Sequence, residues 1–168
     1  MIRKTALILA SAVVAAPCAW ARAQEAKTDP HANCPMKMEQ RGNQGMGFDQ
    51  SKTTHHFTLT PNGGVISVSA NDASDTESRD QIRVHLAHIA RAFGDGSFDI
   101  PMFVHDETPP GVPVMISKKD RIQYRFEPQD LGGRVVITTS DSEALSAVHD
   151  FLRFQIREHQ TGDDPKVR

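Results

Sequence analysis

The sequence has few cysteines and no excess of charge of either sign. Its 168 residues include two cysteines, and 19 basic and 21 acidic side chains leave a formal net charge of −2. Interspersed charges of both signs exclude the basic surface that is typical of nucleic-acid-binding proteins. A hydrophobic fraction of 38% with 6% aromatic residues excludes a collagen-like polymer and a multi-pass membrane protein. We therefore expect one domain with a modest core and no membrane span.

Common catalytic motifs are also lacking. The chain has neither a Gly-x-Ser-x-Gly nucleophile motif nor a His-Glu-x-x-His zinc motif. The glycine-rich stretch at 42–47 follows no predicted strand and precedes no Gly-Lys-Ser/Thr, so it is not a phosphate-binding loop. These absences favour a binding function over catalysis.

The first 23 residues have the pattern of a signal peptide. Arg3 and Lys4 precede a twelve-residue apolar stretch, 5–16, which is too short to span a bilayer as a helix. Ala21 and Ala23 provide the small residues that precede a cleavage site. We therefore predict cleavage after Ala23 and a periplasmic or secreted protein.

Cleavage would leave a mature chain of 145 residues with a net charge of −5 and one cysteine, Cys34. A single cysteine cannot form an internal disulfide, so Cys34 is free, paired with another molecule or bound to a metal. We predict an arm of irregular backbone at 24–53, because this segment shows neither a helical nor a strand period.

Residues 54–160 are predicted to form a single α+β domain that uses one ββα unit twice, at about 55–93 and 122–159. In each unit, two alternating strands flank a turn with a Gly-Gly pair, and an amphipathic helix follows. Residues 63–68 match residues 132–137 in this pattern. We expect an antiparallel sheet with two helices packed on one face. The alternative is that two hairpin–helix segments share only a pattern.

Three details of this fold are also predicted. Gly94 is expected to end the first helix, which begins near Thr76. Residues 98–105 and 112–116, between the two units, are expected to form short extra strands interrupted by proline.

Histidine is more frequent than in an ordinary domain of this size. Seven of the eight histidines lie in the predicted domain, and imidazole is the commonest metal ligand in proteins. This density favours a metal or haem site.

Soft metal donors are concentrated in the arm. An imidazole, a thiol and three thioethers lie within sixteen residues: His31, Cys34, Met36, Met38 and Met46. Thiolate and thioether sulfur favour Cu(I), so this cluster predicts a copper site. The alternative is a solvated tail with an incidental cysteine.

The domain histidines form a second predicted group. His85 and His88 lie three positions apart on the first helix, about 60° apart around its axis, so both could face one metal ion. His149 on the second helix follows a valine, as His85 does on the first helix. If the two helices pack side by side, His149 could bind the same metal ion as His85 and His88. The alternative is that His85 is a core residue and His88 a surface residue.

The remaining histidines are distinguished by their positions. His55 and His56 must point to opposite faces of a strand, with His55 inward and His56 as a candidate metal ligand on the exposed face. His105 begins a polar segment that is either a ligand group or a turn. His159 is predicted to lie near a helix C-terminus, where the helix dipole favours a positively charged side chain.

Two local resemblances accompany these patterns. The stretch Arg41–Phe57, of the form RGxxGMGFDQxxTTHHF, resembles a group of small secreted bacterial proteins of unsettled function, as does the segment 148–163. The resemblance implies no catalytic residue. The segment 33–36 is similar to the Cys-Pro-Met segment of small heavy-metal-binding modules.

Together these patterns predict a periplasmic metal-binding protein that handles copper through histidine and soft sulfur ligands. Zinc and haem are the alternative cofactors, and haem would be non-covalent because no Cys-x-x-Cys-His motif is present. A small metal-dependent enzyme and a domain that binds an organic ligand or a partner are the other hypotheses. The sequence leaves open whether the partner is another protein or a second copy of the chain.

Overall fold

The computed structural model describes residues 35–168, and their side chains from Met38 onward. The predicted signal peptide, His31, Cys34 and the side chain of Met36 lie outside these described residues. Within them, no helix combines the length and the apolar composition needed to cross a membrane.

Five helices and four strands make up the described part of the chain. Two short 3-10 turns, Gln50–Lys52 and Lys119–Arg121, precede the first and third strands. The elements in chain order are α1 (Pro35–Met46), β1 (Thr53–Thr60), β2 (Gly63–Ala70), α2 (Thr76–Asp95), α3 (Asp99–His105), α4 (Val112–Ser117), β3 (Ile122–Gln129), β4 (Gly132–Thr139) and α5 (Ser142–Glu158).

The strands form one antiparallel sheet in the order β1-β2-β4-β3, which confirms the predicted α+β class. The two hairpins have the same register, because the pair Thr53–Ala70 recurs 69 positions later as Ile122–Thr139. At the centre of the sheet, Ile66 lies opposite Val135, which is also 69 positions further on. A ββα repeat requires this register, and the superposition of two complete units remains a prediction.

Helices α2 and α5 cover one face of the sheet. Each begins at an aspartate, since Asp75 accepts a hydrogen bond from the Ser78 amide and Asp141 accepts bonds from two amides of the first turn of α5. Helix α2 packs mainly on β3 and β4, whereas α5 packs mainly on β1 and β2. The end of α5 therefore lies over β1.

Three local predictions are wrong. Helix α2 continues past Gly94 to Asp95 and ends at Gly96, whose φ of 86° suits glycine. The two predicted strands are replaced by helices, since Asp99–His105 forms α3 and residues 112–116 lie in α4. Proline lies in the first turn of each of these helices, where it needs no backbone N–H.

The predicted arm also differs from expectation. Residues 35–46 form helix α1 rather than irregular backbone. This helix packs on α3, where Arg41 Nε donates a hydrogen bond to the Val104 carbonyl at 2.8 Å. A β-carbon on Gly45 would lie 3.2 Å from the Val104 side chain, so the glycine permits close packing of the two helices. Tertiary contact thus stabilises a helix that its composition does not favour.

Candidate functional site

Four histidines from four different elements line one cavity between the sheet and the helices. His55 comes from β1, His85 from α2, His105 from the end of α3, and His159 from the position that follows α5. The cavity, which we call the histidine cavity, has a volume of about 60 Å³. Apart from the four imidazoles and Gln155, its lining is apolar: Met46, Phe57, Ile66, Val68, Leu86, Ile89, Phe93, Ile100, Pro101, Val104 and Phe151.

The imidazole rings lie close to one another and to aromatic side chains. The ring centroids of His55 and His159 are 5.5 Å apart, with ring planes at 16°, and those of His159 and His105 are 5.2 Å apart at 90°. Phe48 contacts both His55 and His85, at centroid distances of 6.0 and 5.5 Å. The rings of His55, His159 and His105 therefore form a connected group, and Phe48 links His85 to it.

Burial keeps these histidines neutral. Burial lowers the pKa of His55 and of His85 to about 4, and neighbouring imidazoles lower both pKa values further. The pKa of His159 falls to about 3 for the same reasons. Burial also lowers the pKa of His105, against the opposing effect of its hydrogen bond to Gln155. At neutral pH each ring thus carries one N–H and one nitrogen lone pair.

Several polar groups of the cavity have no hydrogen-bond partner among the described residues. His55, His85 and His159 make no side-chain hydrogen bond to any residue that the structure describes. His105 Nε2 lies 3.1 Å from Gln155 Oε1, and Gln155 Nε2 has no hydrogen-bond partner among residues 38–168. The rings of His55, His85 and His159 are half-buried and Gln155 Nε2 is buried, so together these nitrogens make the cavity a candidate binding site.

Two surface depressions adjoin the cavity and share parts of its lining. His55 and His159 also line a polar depression beside Gln50 and Thr161. Met46 and His85 also line a groove between the end of α1 and α2. The cavity therefore has imidazoles at both sides and a thioether at one.

Of the predicted metal ligands whose side chains the structure describes, His85 and Met46 line this cavity, whereas Met38, His56, His88 and His149 do not. His88 is exposed and lies in the outer groove beside His85. His56 is 55% exposed, as predicted for the outer face, and its Nδ1 lies 2.9 Å from an Asp163 carboxylate oxygen. Met38 is half-buried in α1, away from the cavity lining.

The predicted group of His85, His88 and His149 does not form. His149 Nε2 donates to the carbonyls of Thr60 and Gly63, at 2.9 and 3.0 Å, and so holds the β1–β2 turn. The group does not form because the strand-to-helix connections of the two units differ in length. Five residues separate β2 from α2, whereas two separate β4 from α5. The two helices consequently do not present equivalent positions to each other.

Three cavity residues were not among the predicted ligands: His55, His105 and His159. The alternation of β1 did predict that His55 points inward. This alternation is the sequence signal that could have identified His55 as a cavity residue. His159 was expected to be a cation at a helix end, and this is wrong because burial outweighs the helix dipole and depresses its pKa. No spacing in the sequence links positions 55, 105 and 159.

The cavity does not present a conventional closed metal site. Among the described residues, no group of three or more histidine, cysteine, aspartate or glutamate side chains is arranged to hold a metal ion. A metal bound here would rely on fewer imidazoles together with the thioether of Met46.

Comparison of the chain with protein-family models, with curated proteins and with solved structures finds no match.

Proposed function

We propose that this protein binds Cu(I) in the histidine cavity and handles copper in the periplasm or outside the cell. The observation that carries the proposal is a set of three neutral imidazoles, those of His55, His85 and His159, that line one cavity without a hydrogen bond to any described residue. Neutral imidazole is the form that binds metals, so these rings need lose no proton on binding at pH 7.

The charge of the cavity favours a monovalent ion. No acidic side chain is among its lining residues, and most of its surface is apolar. A dication would therefore keep an uncompensated charge in a poorly solvated place, which is more costly than burying a single charge. Cu(I) carries one charge, accepts two or three donors, and binds both imidazole and thioether, whereas zinc sites usually have four ligands.

The volume of the cavity is unfavourable to the larger ligands that the sequence also suggested. Pockets for drug-sized molecules and cofactors have volumes of about 300–1,000 Å³, against about 60 Å³ here. Haem or a large organic ligand would therefore require the domain to open. The volume of the cavity is sufficient for a single metal ion.

The soft donors of the arm remain part of the proposal. Met46 belongs both to that sequence cluster and to the cavity lining. His31, Cys34, Met36 and Met38 are the other soft-donor residues of the arm that we propose as copper ligands.

The test is a competition titration of the full chain with a chromogenic Cu(I) chelator under anaerobic conditions. We expect Met46→Leu and His85→Leu each to weaken Cu(I) binding at least tenfold, about 1.4 kcal/mol. His88→Leu is the matched control, since His88 lies on the same helix but is exposed outside the cavity. The proposal fails if the wild-type protein binds no better than a protein-free blank, or if both cavity variants behave like the control.

A further inference from the structure

The two outer strands of the sheet, β1 and β3, differ in how their edges are occupied. At β1, the Phe57 amide donates a hydrogen bond to an Asp163 carboxylate oxygen at 2.8 Å. The Leu59 carbonyl accepts a hydrogen bond from the Arg168 amide at 3.1 Å. Odd-numbered positions of β1 therefore present their backbone groups to the edge, where the segment 163–168 covers them.

The edge of β3 has no such cover. Since the two hairpins are related by 69 positions, Phe126 and Pro128 correspond to Phe57 and Leu59, and even-numbered positions of β3 face the edge. The backbone amides of Tyr124 and Phe126 have no hydrogen-bond partner among the described residues. Pro128 lacks an amide hydrogen, which a strand tolerates at an open edge. Such an edge is a template for pairing with another strand.

We propose that β3 pairs in antiparallel orientation with β3 of a second copy of this chain, so that two four-stranded sheets become one sheet of eight strands. This inference is independent of the proposed copper site, because no residue of β3 lines the histidine cavity.

Charge selects the register of this pairing. Tyr124 and Phe126 pack against the core, so Arg125 and Glu127 lie on the opposite face of the sheet. A two-fold axis at Phe126 places Arg125 of each copy opposite Glu127 of the other. In this register the Phe126 amides donate to each other's carbonyls, and each Tyr124 amide donates to a Pro128 carbonyl. The two neighbouring registers would place Arg125 opposite Arg125 or Glu127 opposite Glu127, and directly opposed like charges are destabilising.

The helix layer leaves room for the second copy. Helix α2 packs on both β3 and β4, so its axis lies near the midline between them. With neighbouring strands about 4.8 Å apart, the two α2 helices would lie about 10 Å apart, a normal distance for packed helices.

The side of α2 towards β3 carries small residues. Arg83 marks this side, since it donates hydrogen bonds to carbonyls at the end of β3 and the start of β4. Ala87, Ala90 and Gly94 follow Arg83 at helical spacing, and a β-carbon on Gly94 would meet nothing within 4 Å. These residues permit the close approach that the paired sheets require.

Sedimentation velocity of the copper-free protein, from about 10 μM to about 1 mM, tests the proposal in the range expected for a small interface. We expect a reversible dimer in the wild type. Arg125→Glu and Glu127→Arg each place like charges opposite each other, and each should weaken dimerisation at least tenfold. Arg153→Glu is the matched control, because it makes the same charge change at an exposed position of α5 and should dimerise like the wild type.

An equimolar mixture of Arg125→Glu and Glu127→Arg is the decisive sample. Each variant also loses the ion pair between Arg125 and Glu127 within its own chain, and mixing does not restore that pair. A heterodimer of the two variants nevertheless has opposite charges at both contacts between the chains. We therefore expect the mixture to dimerise with nearly the wild-type affinity.

Amide hydrogen exchange tests whether the contact is strand pairing. Exchange at Tyr124 and Phe126 should slow as the wild-type concentration rises, whereas exchange at Phe57, already bonded to Asp163, should stay constant. A wild-type protein that is monomeric at about 1 mM overturns the proposal, and so does a mixture that stays monomeric. A dimer that forms without protecting Tyr124 and Phe126 uses another surface and also refutes it.

Discussion

His55, His85 and His159 illustrate how burial sets the chemistry of single residues. Each has a pKa of about 3 or 4 in the fold, against about 6.5 for a solvated histidine. The fold therefore keeps three polar rings neutral at a place where they make no hydrogen bond to the described protein. A hydrophobic side chain would pack at these positions with less desolvation, and the ring nitrogens that the described residues leave unpaired are available to a ligand.

These depressed pKa values predict that stability depends on pH. Between pH 6.5 and about 4 the unfolded chain binds protons at these histidines and the folded chain does not, so stability falls as the pH falls through this range. Each of the three contributes up to about 1.4 kcal/mol per pH unit. Urea unfolding at pH 7, 6 and 5 measures the slope, and His55→Phe should reduce it by about one proton.

Carboxylates do not produce the same slope. Hydrogen bonds from the Ala144 amide and from Lys118 lower the pKa of Asp141 below its usual 3.8, so its contribution is lost only at still lower pH. The exposed His88 serves as a control, because His88→Leu should leave the slope unchanged. Equal stability at pH 7 and pH 5 would contradict the buried neutral state of the cavity histidines.

His149 has a structural role that can be separated from the proposed copper binding. Its ring N–H bonds to the carbonyls of Thr60 and Gly63, and both carbonyls would lose this donor in His149→Ala. We expect a loss of about 1–3 kcal/mol in the free energy of unfolding, with Cu(I) affinity unchanged. Urea unfolding and the chelator titration on the same variant test both parts. A tenfold loss of Cu(I) affinity in a folded His149→Ala variant would instead assign it to the metal site.

At the scale of elements, the strands and the long helices could be predicted because their periods are clear. Ile82, Leu86, Ile89 and Phe93 recur at helical spacing and are buried in α2. The short elements α1, α3 and α4 could not be predicted in this way. Helix α1 contains two glycines and depends on its contact with α3, which no local pattern reveals. Pro101 was expected to interrupt a strand at 98–105, but it lies in the first turn of α3.

Gly111 shows how a short element depends on a close approach. Its φ is +84°, and a β-carbon there would lie 2.1 Å from the Ala147 carbonyl oxygen of α5. Gly162 has a similar φ of +74° with nothing within 4 Å of the added carbon. We predict that Gly162→Ala costs about 1–2 kcal/mol from backbone strain alone. Gly111→Ala should cost at least about 2 kcal/mol more, because α4 must move away from α5.

Chemical denaturation of the two glycine variants measures this difference under identical conditions. The comparison isolates the steric effect, since the left-handed backbone conformation is common to both positions. If the two variants lose equal stability, the packing of α4 on α5 is looser than the structure indicates.

At the scale of the whole molecule, the histidine cavity exists only because separate elements meet. Its imidazoles come from positions 55, 85, 105 and 159, and α5 brings the last of them over β1. Sequence patterns identified single members of this set, such as His85 and the inward-pointing His55. They could not identify the set, because its spacing depends on how α2, α3 and α5 pack on the sheet.

Met46 connects the two sequence features that suggested copper. It is the last residue of the soft-donor cluster and also lines the histidine cavity. If one copper ion uses donors from both, Cys34 and His85 must be energetically coupled through that ion. Independent sites would instead give effects on stability or affinity that add within about 0.3–0.5 kcal/mol.

We therefore predict one high-affinity Cu(I) ion per chain and a non-additive double-mutant cycle. Cys34→Ser and His85→Leu should each weaken Cu(I) binding at least tenfold, about 1.4 kcal/mol. The double variant should weaken it by less than the product of the two effects, because removing either donor already disrupts the shared site. Chelator competition with all four proteins measures the cycle, and His88→Leu combined with Cys34→Ser is its control. Two equivalents of bound Cu(I) with additive losses would mean that the arm and the cavity bind copper separately.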